Sequence, residues 1–129
     1  MAVESPLGTK NWPTELRVSK DKRQFTVTFD SGAVHTFSAE FLRVMSPSAE
    51  VQGHSPEQRV TVPNKSNVSI AQLLPVGNYA VRIVFDDGHD SGLFTWVYLT
   101  DLGETQEARW QGYLGELKAQ GMSRGNILH

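Results

Sequence analysis

An α+β fold, in which an antiparallel sheet built from hairpins carries short helices and a C-terminal amphipathic helix on one face, follows from three features of the sequence. Apolar and polar residues alternate around Leu16 and Val18, through Phe25, Val27 and Phe29, and through Tyr79, Val81, Ile83 and Phe85, which is the period of half-buried strands. Turn-forming Asp and Gly residues follow these runs, at Asp30-Ser31-Gly32 and across residues 86–92. The last third places Trp110, Tyr113, Leu114 and Leu117 at helical spacing, with Glu107, Arg109, Glu116 and Lys118 on the other face.

Taken in order, residues 1–12 contain Pro6 and Gly8 without any period and read as a flexible arm, with Trp12 before Pro13 at its end. Two antiparallel strands follow from Glu15, joined at Asp21-Lys22. Gly32 can take positive φ in the next turn, and Val34 to Phe37 read as the returning strand. Ser38 is placed to cap a helix of one or two turns through Phe41 and Val44. Residues 45–54 read as an ordered loop, Val60 and Val62 as a short edge strand, and Val68 and Ile70 as another. The run from Tyr79 to Phe85 is apolar enough on both faces for a central strand. Leu93 and Phe94 resume the sheet, Thr95 caps a helix through Leu102, and Gly103 is predicted to end it. A final helix is predicted from Glu104 to about Gln120. The division is thus an arm at 1–12, one domain at 13–120 and a flexible tail at 121–129.

The stretch FDSGAVHTFSAEFL at residues 29–42 is echoed by FDDGHDSGLFTWVYL at 85–99. Each spells strand, turn, returning strand and capped helix, so a single strand-hairpin-helix unit used twice would build a layered fold.

Composition narrows function. The 129-residue chain has 12 Lys and Arg against 14 Asp and Glu, mixed along its length, so phosphate-backbone binding has little support and nucleic acid is not an expected partner. No run approaches the roughly 20 apolar residues of a membrane helix. The start MAVESPLGTKNWP lacks a basic segment followed by an apolar one, and a cytoplasmic protein is expected. Having no cysteine, the chain has no disulfide, thiolate zinc site, iron–sulfur ligation of the usual kind or thiol nucleophile.

Candidate chemistry centres on two loops. His89 lies in a turn with Asp86, Asp87 and Asp90, and His54 ends the loop that carries Ser46, Ser48 and Glu50. Were the loops to meet, His54, His89 and Glu50 or an Asp would form a two-histidine, one-carboxylate set of the sort that holds iron or zinc. Asp and Gly are also simply what tight turns use, with the imidazole bonded to nearby backbone. Ser46 and Ser48 lack a glycine-flanked elbow, and there is no phosphate-binding glycine loop. Trp96, Tyr98, Trp110 and Tyr113 read as core or as the lining of a groove. His35 falls in a strand and His129 at the chain end.

The order of FLRVMSPSAE at 41–50, Gly53-His54, VGNYA at 76–80 and FDDGHDSGLF followed by Trp96 and Leu99 resembles stand-alone members of the gamma-butyrobetaine hydroxylase-like N-terminal domain family, over residues 14–118. The resemblance implies a module found at the N-terminus of gamma-butyrobetaine and trimethyllysine dioxygenases, and fused to ATPases that carry iron–sulfur clusters. It implies no oxygenase centre, since that lies in another domain. In the oxygenases the module holds a structural zinc through three cysteines and a histidine, positions that fall here on Ser46, Ser48, Val51 and His89. Serine is a poor zinc ligand and valine none. Hydrogen bonding of His89 to the 46–50 loop is therefore predicted to replace the metal, and no cofactor is expected.

The expectation is a non-enzymatic interaction module with Arg43, Ser46, Ser48, Glu50, Asp86 and Asp87 at its contact surface. Its implied partner is an oxygenase or an iron–sulfur assembly component. The alternative is a metal-binding protein or small metal-dependent enzyme that uses His54 and His89 to hold zinc or iron.

Overall fold

The computed structural model describes residues 12–53 and 59–125. Its six strands form two antiparallel sheets, so the hairpins are divided between two sheets rather than lying in one. The first runs in the order β1 (Pro13–Val18), β2 (Gln24–Phe29), β3 (Val34–Ser38). The alternation of β2 turns Phe25, Val27 and Phe29 inward, where all three are buried. Ser38 caps α1 (Ala39–Val44), the Phe41 N–H donating to its Oγ at 3.0 Å. The loop that follows contains one helical turn, α2 (Ala49–Gln52).

The second sheet is β4 (Ile70–Val76), β5 (Ala80–Phe85) and β6 (Leu93–Thr95), with β5 central. Only the first residue of β4 was predicted, because Leu73-Leu74-Pro75 breaks the alternation and proline disfavours strands. An edge position tolerates it, since a proline there forfeits no ladder bond. The strand predicted at Val60 and Val62 does not form. That segment is tied to side chains of the long helix instead, Tyr113 Oη donating to the Val62 carbonyl at 2.6 Å and Gln120 Nε2 to Thr61 Oγ1 at 2.8 Å.

Thr95 caps α3 (Trp96–Ala119), with the Tyr98 N–H donating to its Oγ1 at 3.0 Å. The break predicted at Gly103 is absent and the helix runs on. Gly103 serves close approach: a Cβ there would lie 2.3 Å from Cγ of His35, so the missing side chain is the seat for the imidazole of β3. Leu99, Leu102, Tyr113 and Leu117 carry α3 into the core beside Phe37, Phe41 and Leu42.

The echoed segments adopt the same structure. Gly32 and Gly88 have φ of 93° and 91° and each donates its N–H to the phenylalanine three residues before it, Phe29 and Phe85, at 3.0 Å. Asp30 exchanges bonds with Trp12, and Asp86 does the same with Ser69, each accepting a backbone N–H on its carboxylate and donating its own. His35 and Gly92 each stand three residues before the cap, and Ser46 and Gly103 each eight after it. His35 packs on Gly103 and Gly92 on Ser46, so each hairpin is seated on the segment that follows the other unit's cap.

Beyond Gly121, in the stretch read as a tail, Ser123 and Arg124 accept the N–H groups of Asn64 and Ser66. Arg124 also forms a two-pronged ion pair with the buried Glu40, at 2.6 and 2.8 Å, and its guanidinium lies 5.2 Å from the centre of the Trp110 ring. No helix among the described residues is long and apolar enough to cross a membrane.

Candidate functional site

The two loops singled out in the sequence meet. The β5–β6 turn, tightened by Gly88, directs His89 inward with its backbone N–H donating to Asp87 Oδ1 at 3.0 Å. Opposite it, the chain leaving α1 turns through Met45 and Pro47 and brings Ser46, Ser48 and Glu50 around the imidazole. His89 Nε2 lies 2.9 Å from Ser46 Oγ and 3.5 Å from Ser48 Oγ, and Nδ1 lies 3.1 Å from Glu50 Oε2. A carboxylate only accepts, so Nδ1 carries the proton and Nε2 accepts from the Ser46 hydroxyl. Ser46 Oγ in turn accepts the Ser48 N–H at 3.4 Å, and Gln52 Nε2 donates to the Ser46 carbonyl at 3.0 Å.

Burial lowers the pKa of His89 below the ordinary histidine value, and the nearby Arg43 guanidinium lowers it further, against the opposing pull of Glu50 and Asp87. The ring is thus neutral at pH 7. Beside it, Asp87 takes Arg43 Nε at 2.8 Å and Lys65 Nζ at 2.6 Å. Burial pushes its carboxyl up, but bonds from Lys65, the His89 N–H and Arg43 outweigh that and hold it at about 2.

The order Ser46 hydroxyl, His89 imidazole, Glu50 carboxylate is that of a nucleophilic triad. Access is what separates the two uses: Ser46 is 0% exposed, against Gly92 and Pro47. A buried hydroxyl with both bonding roles taken cannot reach a substrate carbonyl, and the geometry is that of a strut between loops.

As a zinc site the same positions offer one imidazole, two neutral hydroxyls and the apolar side chain of Val51, which is buried. That donor set does not fit a thiolate-type structural zinc. Among the described residues no group of three or more His, Asp and Glu side chains converges as metal ligands would. His54 lies outside the described residues, as does His129.

Of the residues read as a contact surface, Glu50 and Asp86 are exposed, Arg43 and Asp87 are paired with each other, and Ser46 and Ser48 lie beneath the surface. Sequence reasoning missed Lys65, the second cation on Asp87, since nothing in its local pattern marks a partner 22 residues away.

A family model described as "Gamma-butyrobetaine hydroxylase-like, N-terminal" matches residues 16–100. Among solved structures, one solution NMR structure is 44% identical with a TM-score of 0.81, covering 98% of this chain and 94% of its own. Another is 42% identical with a TM-score of 0.76, covering 92% and 94%. A crystal structure of a protein of unknown function from Acidithiobacillus ferrooxidans, assigned to the DUF971 family, is 34% identical with a TM-score of 0.54, covering 70% of this chain and 91% of its own. No curated protein matches the chain.

Proposed function

Because the chain belongs to the gamma-butyrobetaine hydroxylase-like N-terminal family, we propose that it is a non-enzymatic interaction module whose contact surface is the joined edge of residues 46–50 and 86–92. One observation carries this reading. Among the described residues the one imidazole of the two loops, that of His89, has both ring nitrogens engaged, by Ser46 and Glu50, which uses the chemistry of the site to hold its shape. On the outer side of that strut Glu50 and Asp86 face solvent, an acidic rim on a rigid base. Rigid presentation of charged side chains serves recognition, because little ordering entropy remains to be lost on binding.

The family resemblance suggests an oxygenase or an iron–sulfur assembly component as the partner, which is a warrant by analogy. Immobilised wild-type protein is compared with a Glu50→Lys/Asp86→Lys variant for retention of such partners from a lysate of the source cells. A partner held by wild type and released by the folded variant supports the reading, and a partner held equally by both overturns it.

A metal-binding role, through His89 with His54, has a single observation in its favour: His89 Nδ1 and a Glu50 oxygen lie 3.1 Å apart, one nitrogen and one oxygen donor together. Elemental analysis of untagged protein after iron or zinc addition and desalting separates the two. Near-stoichiometric metal that disappears in both His54→Ala and His89→Ala selects the metal reading.

A further inference from the structure

A second site lies away from the histidine strut, in a cleft of about 480 Å³ where the start of α1 faces the middle of α3. Its floor is Phe41 and Trp110, whose rings stand edge to face with centres 6.4 Å apart, and its rim carries Glu104 and Glu107. Both carboxylates are exposed, and among the described residues no cation pairs with either; Glu107 accepts one bond, from Gln111 Nε2. No Lys, Arg or His lines the cleft.

The molecule already contains an occupied version of this arrangement. Arg124 is held by one carboxylate, Glu40, while its guanidinium covers the ring of Trp110. Flat guanidinium groups suit such seats, combining paired N–H donors for a carboxylate with stacking on an aromatic face. The cleft offers the same indole and two further carboxylates with no guanidinium between them.

We propose that this cleft is a docking site for an arginine side chain of a partner polypeptide, with Glu104 and Glu107 pairing its guanidinium and the half-buried Trp110, backed by the buried Phe41, packing on its stem. The site is separate from the acidic rim around Glu50, and either can fail without the other. Charge complementarity selects the occupant: a neutral or acidic side chain would leave both carboxylates unpaired, and lysine lacks the planar fork that bridges two of them.

The test is titration of ¹⁵N-labelled protein with the capped tripeptide acetyl-Gly-Arg-Gly-amide, read at the Trp110 indole N–H, which is assigned with Trp110→Phe. The citrulline tripeptide, equal in shape and uncharged, is run beside it. A saturable shift with the arginine peptide is expected, at least tenfold weaker with citrulline and in Glu104→Gln/Glu107→Gln. Folding of that variant is checked by its otherwise unchanged spectrum, and Glu15→Gln serves as a remote charge control. No saturable shift, or equal shifts with the two peptides or in the double variant, overturns the proposal.

Discussion

Replacing glycine by alanine at three positions of α3 separates what a helix prefers from what this fold requires. Gly103, Gly112 and Gly115 are all interior to the helix, where alanine is intrinsically favoured by about 0.8–1 kcal/mol. At 112 and 115 nothing beyond the helix's own adjoining backbone lies within 4 Å of the added Cβ, so Gly112→Ala and Gly115→Ala keep that gain. At 103 the Cβ would sit 2.3, 2.4 and 2.6 Å from Cγ, Nδ1 and Cδ2 of His35, where ordinary contact is about 3.5 Å. Movement of the ring is opposed by Phe29 and Phe37, whose ring centres each lie 6.2 Å from that of His35. Overpacking of this kind costs about 1–3 kcal/mol. Propensity cancels between sites, so Gly103→Ala should fall about 1–3 kcal/mol below Gly115→Ala, a gap in Tm of roughly 4–12 °C for a domain of this length. Urea unfolding followed by circular dichroism measures it, and in a His35→Ala background Gly103→Ala should become as favourable as the other two. Equal stabilisation at all three sites in the wild-type background would refute the packing argument.

The strut makes its own predictions. Gly92→Ala would set a Cβ 2.3 Å from Ser46 Oγ and should cost about 1–3 kcal/mol of stability, most of which should vanish when the same change is made in a Ser46→Gly background, itself destabilised by loss of the hydroxyl; a double-mutant cycle on urea midpoints reads the coupling. Acid should destabilise the fold in two stages. His89 binds its proton less readily folded than unfolded, so its contribution is complete above pH 6.5 and declines as pH falls below it, and Asp87, held at about 2, contributes on the order of 1 kcal/mol that is lost between about pH 4 and 2. Urea midpoints measured from pH 8 to 2 test the sign of both stages, and His89→Gln should flatten the first. Finally, a fluorophosphonate probe should leave Ser46 unmodified in the folded protein, and mass-spectrometric detection of an adduct there would show the triad to be reachable after all.

Local chemistry was the legible part of the fold. Alternation placed β2 and β5, and the hydroxyls of Ser38 and Thr95 announced their helices, because each signal is complete within a few residues. Gly103 was misread because a glycine after an apolar helical run has two meanings, terminator or seat, and only His35, 68 positions away, decides between them. For β4, a proline that is harmless at a sheet edge concealed a strand whose edge position is a tertiary fact. At the site, residue types were legible locally, while the bonding of His89 to the 46–50 loop was expected only through the family resemblance, since those bonds span 39 to 43 positions and no local pattern marks them. Arg124 gave no signal at all: its partner Glu40 lies 84 positions away.

The reciprocal seating of the two units also governs which halves can mate. In the intact chain His35 meets Gly103 and Gly92 meets Ser46, so each seat combines one side chain with one glycine. Two first units, mated across separate molecules, would bring His35 against Ser46, two side chains where one belongs. Two second units would bring Gly92 against Gly103 and leave the seat hollow. Like halves are therefore mismatched and unlike halves matched, and covalent continuity supplies one of each at high effective concentration. On these contacts, an exchange of halves between neighbouring molecules would fit only in the unlike combination, which reproduces the contacts made within one chain.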